Sequence, residues 1–266
     1  MCSLPRRDFL PERVSRYGSE AHLSNRLFGI SLYQQKNIEL RPEGRRPFDP
    51  RKLFEDHKIT FPDTPYGSQI PCSWGAVYFP EHWREFHSYL IDRLSERKIR
   101  INDIIVPNIR SNRWTKSWKK FFIELVYLRG YVMLYPNYAD FTSLSNNHLE
   151  MGVHVRGDMS KRDFIKKKAL FDLPLMPLPQ ERNVDFLVEN TPSILDLPFG
   201  SLPRWNSLPI VDLWGHLTSE EEIVRTGQAR HQQMMTGCAA LNTSASEFDA
   251  GLLLCTSSTR PIKERK

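Results

Sequence analysis

A chain of 266 residues with 40% hydrophobic side chains has enough apolar material to bury the core of one large domain. Its net charge of +6 lies in short clusters (Arg45-Arg46, Lys119-Lys120, Lys166-Lys167-Lys168), and no zinc-finger, RRM-type or basic recognition-helix signature accompanies them. That pattern argues against a nucleic-acid partner and leaves solvated faces, or sites for anionic ligands such as a nucleotide, a phosphate or an acidic lipid head group.

The four cysteines are too far apart for a CxxC metal or redox site, no apolar run reaches the roughly 18 residues of a membrane span, and the first residues contain no apolar leader core. Residues 1–70 read as an irregular segment interrupted by the prolines of PEGRRPFDP and FPDTP. One helix is expected near Glu20–Gln35, and one or two further turns at Arg51–His57, bounded by Pro50 and Pro62.

An α/β core is expected over 71–172. CSWGAVYF reads as a buried strand stopped by Pro80; the helix after it spaces Trp83, Phe86, Leu90 and Leu94 by threes and fours, a stripe expected to face the core. IIVP suggests a short edge strand. Thr115 is the expected N-cap of a second helix, whose apolar face is Trp118, Phe122, Leu125 and Val126 and whose end is marked by Gly130. YVMLYP supplies another buried strand, and a polar loop from Phe141 to Asp158 leads to a basic helix near Lys161–Phe171. Residues 173–209 form a proline-rich wrap or linker, and 210–238 a last strand and helix, with Thr218 and Glu221 as a capping box. The tail 239–266 reads as disordered.

No GxGxxG, Walker loop, GxSxG, HExxH or Asp-x-Asp occurs in the chain. Three constellations remain. Asn147, His148 and Glu150, with His154, follow a buried strand, where α/β proteins place ligand groups; they could bind a divalent metal, act as an acid/base pair, or simply bond locally. Arg110, Asn112, Arg113, Trp114, Lys116 and Lys120 rim a helix N-terminus, suited to phosphate or merely solvated. Glu81, His82 and Glu85 open a helix, where a carboxylate serves catalysis or ordinary capping. Trp74 and Tyr78 alternate along the expected strand, as core residues or as a sugar platform.

At SWGAVYFPEHWREFHSYL, RSNRWTKSWKKFFIELVYLRGYVMLYPNYADFTSLSNNHLE and LPIVDLWGHLTS the chain resembles a fungal protein family with a glycosyltransferase-like architecture, over about residues 20–238. A strand bearing Trp-Gly-Ala, a helix, a second helix after a Trp and a strand ending in Tyr-Pro also resembles the acceptor half of GT-A-type glycosyltransferases. The resemblance implies a partial three-layer α/β/α domain with long proline-rich loops, incomplete on its N-terminal side. It further implies a nucleotide-sugar donor, a glycan or protein acceptor, a divalent metal (Mn²⁺ or Mg²⁺), and a Golgi or other secretory setting for complete homologues. His148 and Glu150 would then sit at the metal, Arg113 and Lys116 would face phosphate, and Glu81 or Glu85 would be the acceptor-side base. The missing Asp-x-Asp departs from that pattern and points to a chain inactive by itself. The alternative is a non-enzymatic interaction or scaffold protein that uses the proline-rich wrap and the basic helix.

Overall fold

In the computed structural model, residues 25–95, 104–147, 159–169, 172–175, 203–236 and 248–254 are described. The apolar run LFGIS forms β1 (Leu27–Ser31), and VMLY forms β6 (Val132–Tyr135); every residue of both is buried. Near-continuous apolar runs are what a strand covered on both faces requires. The two lie side by side and parallel at the centre of a six-stranded mixed sheet of order β5-β1-β6-β4-β7-β8. The other strands are β4 (Tyr66–Ser68), β5 (Ala76–Tyr78), β7 (Ile210–Val211) and β8 (Leu217–Thr218). β4 runs antiparallel to β6 and parallel to β7, while β5 and β8 close the edges in antiparallel pairs. A hairpin of β2 (Asn37–Ile38) and β3 (Arg46–Pro47) stands apart as a second sheet.

Among the described residues five helices accompany the strands, so the α/β class holds: α1 (Pro50–Asp56), α2 (Pro80–Leu94), α3 (Trp118–Arg129), α4 (Lys161–Lys168) and α5 (Glu220–Met235). α3 is the central one, with Phe122 through Leu128 all buried, and it packs against both α2 and α5. Its contact with α5 passes through Gly227, where a Cβ would come within 2.3 Å of the Tyr127 carbonyl oxygen. Gly130 ends α3 in the left-handed region at φ 65°.

Several expectations change. The helix expected over Glu20–Gln35 is β1 from Leu27 onward, and the stretch 1–70 thereby supplies two strands of the main sheet, a hairpin and α1. A short apolar run does not distinguish strand from helix, and the extended neighbours β5 and β6 decide it. CSWGAVYF yields only Ala76–Tyr78 as strand, on a half-exposed sheet edge. IIVP is no strand: Ile105 and Val106 bury their side chains from a turn. The N-caps fall at Ser117 and Ser219, not at Thr115 and Thr218; Ser219 Oγ accepts from the Glu222 N–H at 3.2 Å.

The buried face of α2 is also rotated from the apolar stripe. It carries His82, Glu85, Phe86 and Tyr89, while Trp83 and Leu94 remain 42% and 63% exposed. Polar partners explain this choice. Arg93 binds Glu124 of α3 through two hydrogen bonds of 2.7 and 3.0 Å, and the Tyr89 hydroxyl donates to the same carboxylate at 3.1 Å. The segment 248–254, within the tail expected to be disordered, buries Ala250, Leu253 and Leu254 against the core.

Candidate functional site

β1 and β6 end on the same sheet edge, and the loops after them are tied together. Gln34 donates to the Tyr138 carbonyl at 2.9 Å and accepts from the Tyr138 N–H at 2.7 Å. The Gln34 N–H donates to Ser143 Oγ at 3.0 Å, and that hydroxyl donates to the Leu32 carbonyl at 3.0 Å. The loop leaving β6 is therefore held against the chain leaving β1 as far as Ser143.

From this edge the chain enters the β2–β3 hairpin, whose Asn37 and Glu39 help line a cavity of about 30 Å³ with Tyr33, Cys72, Trp74 and Lys119. That is space for a water molecule or for one ligand group. Glu39 binds Lys119 of α3 in a short ion pair and Arg45 of the hairpin at 3.1 Å. Burial alone would push the Glu39 carboxyl up, but Lys119 and Arg45 outweigh it and hold the group below the ordinary carboxylate range. The Tyr33 hydroxyl, 4% exposed as a residue, reaches the same cavity without a hydrogen-bond partner among the described residues. Burial raises its pKa, with the nearby Cys72 adding to the effect.

Further cations lie near the hairpin. The Arg110 N–H donates to the Leu40 carbonyl at 2.9 Å, which sets the 3-10 turn Arg110–Arg113 beside the hairpin. Lys167 of α4 is close enough that burial, then the fields of Arg45 and Arg110, lower its pKa. Lys119 and Arg45 thus hold Glu39 from two elements, while Lys167 of a third lies in the field of Arg45 and Arg110.

The predicted site residues scatter. Arg113 and Lys116 are exposed near the start of α3, and their neighbour Arg110 is tied through its backbone N–H to Leu40 of the hairpin. Glu81 is an exposed first-turn residue of α2, paired with Arg84 at 2.9 Å. Glu85 is sealed inside, 2.6 Å from Arg129 and accepting a 2.6 Å bond from the Tyr131 hydroxyl. Burial raises its pKa despite the Arg129 charge. Lys119 and Arg129 stand at opposite ends of α3, about 15 Å apart at 1.5 Å per residue, so the two buried carboxylate clusters are distinct. Tyr78 and Trp74 are packed rather than displayed: Tyr78 donates to the Cys72 carbonyl and Trp74 meets Tyr33 edge-on at 5.1 Å.

His148, Glu150 and His154 lie outside the described residues, as does most of the proline-rich stretch 173–209. Among the described residues no three His, Cys, Asp or Glu side chains gather to hold a metal ion, and no helix is long and apolar enough to cross a membrane. Sequence reasoning missed Tyr33 and Glu39, although YQQKNIEL directly follows β1; recognising that strand would have placed them at the edge where α/β sheets bind ligands. No protein-family model, no curated protein and no solved structure matches the chain.

Proposed function

We propose that the chain holds a phosphate-bearing ligand at the cationic cavity around Glu39 and that this ligand is the nucleotide-sugar donor of a glycosyltransferase-like protein. The observation carrying the first part is the seating of Lys119 and Arg45 on the buried carboxylate of Glu39 at a cavity edge, with Lys167 in the field of Arg45 and Arg110. In this reading Glu39 orients Lys119 and Arg45, while Arg110 and Lys167 meet the phosphate oxygens. Trp74, half-buried with Lys119 5.9 Å from its ring centroid, borders the ligand.

The second part rests on the resemblance to a GT-A-like family, with the sheet as the acceptor-side part of a three-layer domain. A glycan or protein acceptor and a secretory setting belong to the same reading, as does a divalent metal, Mn²⁺ or Mg²⁺, at His148 and Glu150. Glu85 is sealed at the far end of α3 and Glu81 follows the end of β5 remote from Trp74, so donor binding, not an acceptor-side base, supports the reading. The test is calorimetric titration with UDP and GDP, each with and without Mn²⁺, on the wild type and on Arg110→Ala and Lys167→Ala. Each variant is expected to weaken binding about tenfold, the loss of one charge-assisted contact. No heat from folded wild-type protein would overturn the proposal.

A second reading, as an interaction protein, is favoured by one surface. Trp83 and Trp118, 42% and 41% exposed, meet edge-on at 6.2 Å near the sheet edge where Val77 is also exposed. Exposed aromatic surface of this kind is typical of interface cores.

A further inference from the structure

Asn37 and Glu39 of the β2–β3 hairpin line the cationic cavity; Lys36, Arg41, Pro47 and Phe48 line a separate, open groove of about 470 Å³, bordered by α1 and by Phe141. That volume falls within the roughly 300–1,000 Å³ usual for small-molecule sites. We propose that this groove binds a small aromatic anion: one planar ring carrying a carboxylate or a phosphate.

The charge pattern selects the anion. Both carboxylates of the groove are already engaged: Asp56 pairs with Lys52 at 3.2 Å, and Asp49 caps α1 by accepting from the N–H groups of Arg51 and Lys52 at 3.0 and 3.2 Å. Arg41 spends only Nε, donating to the Trp214 carbonyl at 2.7 Å; its two terminal nitrogens make no hydrogen bond among the described residues. The Lys36 ammonium lies 5.5 Å from the centroid of the Phe141 ring and reaches only the Asp172 carbonyl, at 3.5 Å. Two cations thus face the groove without a carboxylate partner, and a ligand anion can bridge them.

The aromatic part follows from Phe48 and Phe141. Phe141 is presented at a conformational cost, since Asp140 and Phe141 are consecutive left-handed residues at φ 53° and 56°. Asp adopts that region readily and Phe does not, so the strained turn holds the ring in place in advance of any ligand. A ring bound beside Phe141 gains an aromatic contact, with its anion directed toward Arg41 and Lys36.

The test uses benzoate, phenyl phosphate and neutral benzyl alcohol as probes, by saturation-transfer NMR and competition titration on the whole chain. Binding of either anion at least tenfold tighter than the alcohol is expected, and the preferred anion identifies the head group. Arg41→Gln and Lys36→Gln should each weaken the anion about tenfold while leaving the alcohol unchanged. Phe141→Gly keeps the left-handed backbone without strain and removes the ring, so it should abolish binding in protein that still folds, the relieved strain offsetting part of the packing that the ring makes with the core. Equal binding of anion and alcohol, no binding to the wild type, or anion binding insensitive to all three variants in folded protein would each overturn the proposal. UDP titration of the same variants reports separately on the cavity around Glu39.

Discussion

Glu85 of α2 and Arg129 at the end of α3 form an ion pair of 2.6 Å in which the Glu85 side chain is fully buried. Arg129 also donates to the Asp249 carbonyl at 3.1 Å, so the same guanidinium joins α2, α3 and the segment 248–254. A carboxylate placed this way is a structural fastening, and its removal has a structural signature. Glu85→Ala leaves a partly buried guanidinium and the Tyr131 hydroxyl unmatched and should cost about 3–5 kcal/mol. Glu85→Gln, which still accepts from Tyr131, should cost less. Urea unfolding midpoints measure both, and a loss below about 1 kcal/mol for Glu85→Ala would remove the fastening role.

His82 makes a second prediction. Its ring lies 4.7 Å from that of Tyr131 and 5.1 Å from that of Phe248, and its buried Nδ1 has no partner among the described residues. Burial lowers its pKa to about 4, so the folded state holds it neutral. The unfolded chain takes up this proton near pH 6.5 and the folded chain only near 4. The contribution is therefore fully present above about pH 6.5 and is lost as pH falls toward 4, by about 3 kcal/mol in all. Melts at pH 7 and 4.5 of the wild type and His82→Leu should show a smaller decline in the variant. Parallel declines would mean that other groups carry the acid sensitivity.

The residues that were legible in advance are those whose neighbours in sequence determine them. The turns expected at Arg51–His57 form α1 with Pro50 in its first turn, Gly130 ends α3, and VMLY, confined between Gly130 and Pro136, is too short for a helix and forms a strand. What was not legible depends on distant partners. Glu85 and Glu124 occupy buried helix positions because Arg129 and Arg93 come to meet them, and no local periodicity announces that. β1 was read as helix for the same reason: its strand character comes from β5 and β6, some 50 and 100 residues onward. The cavity suffered most, since Tyr33 with Glu39, Cys72 and Lys119 come from three stretches that only the sheet order brings together.

Gly227 tests the packing of α5 on α3. A Cβ there would lie 2.3 Å from the Tyr127 carbonyl oxygen and 2.7 Å from that of Leu128, both backbone atoms that cannot swing aside. Gly227→Ala should therefore destabilise by about 1–3 kcal/mol, the range for overpacking, even though alanine favours helix by nearly 1 kcal/mol over glycine. Chemical denaturation distinguishes the outcomes, because a stabilised variant would mean that α5 sits farther from α3 than these distances state.

Lys119 and Glu39 provide the sharpest check on the cavity. With both cations present, the carboxyl of Glu39 is held below its ordinary range, so its contribution to stability is present above the unfolded carboxylate pKa near 4.3 and is lost as pH falls through the folded value. Lys119→Met removes the stronger partner and leaves a buried carboxylate with Arg45 alone. Its cost should be largest at pH 7, about 3 kcal/mol, and should shrink toward pH 4.5 as Glu39 becomes easier to protonate. Adding Glu39→Gln removes the stranded charge, so the double variant should regain at least about 1 kcal/mol at pH 7 relative to Lys119→Met. Thermal melts of the wild type, both single variants and the double variant at the two pH values complete the cycle. A cost independent of pH and additive in the double variant would mean that the pair does not share its charge, and the cavity would lose the electrostatic centre on which donor binding is proposed.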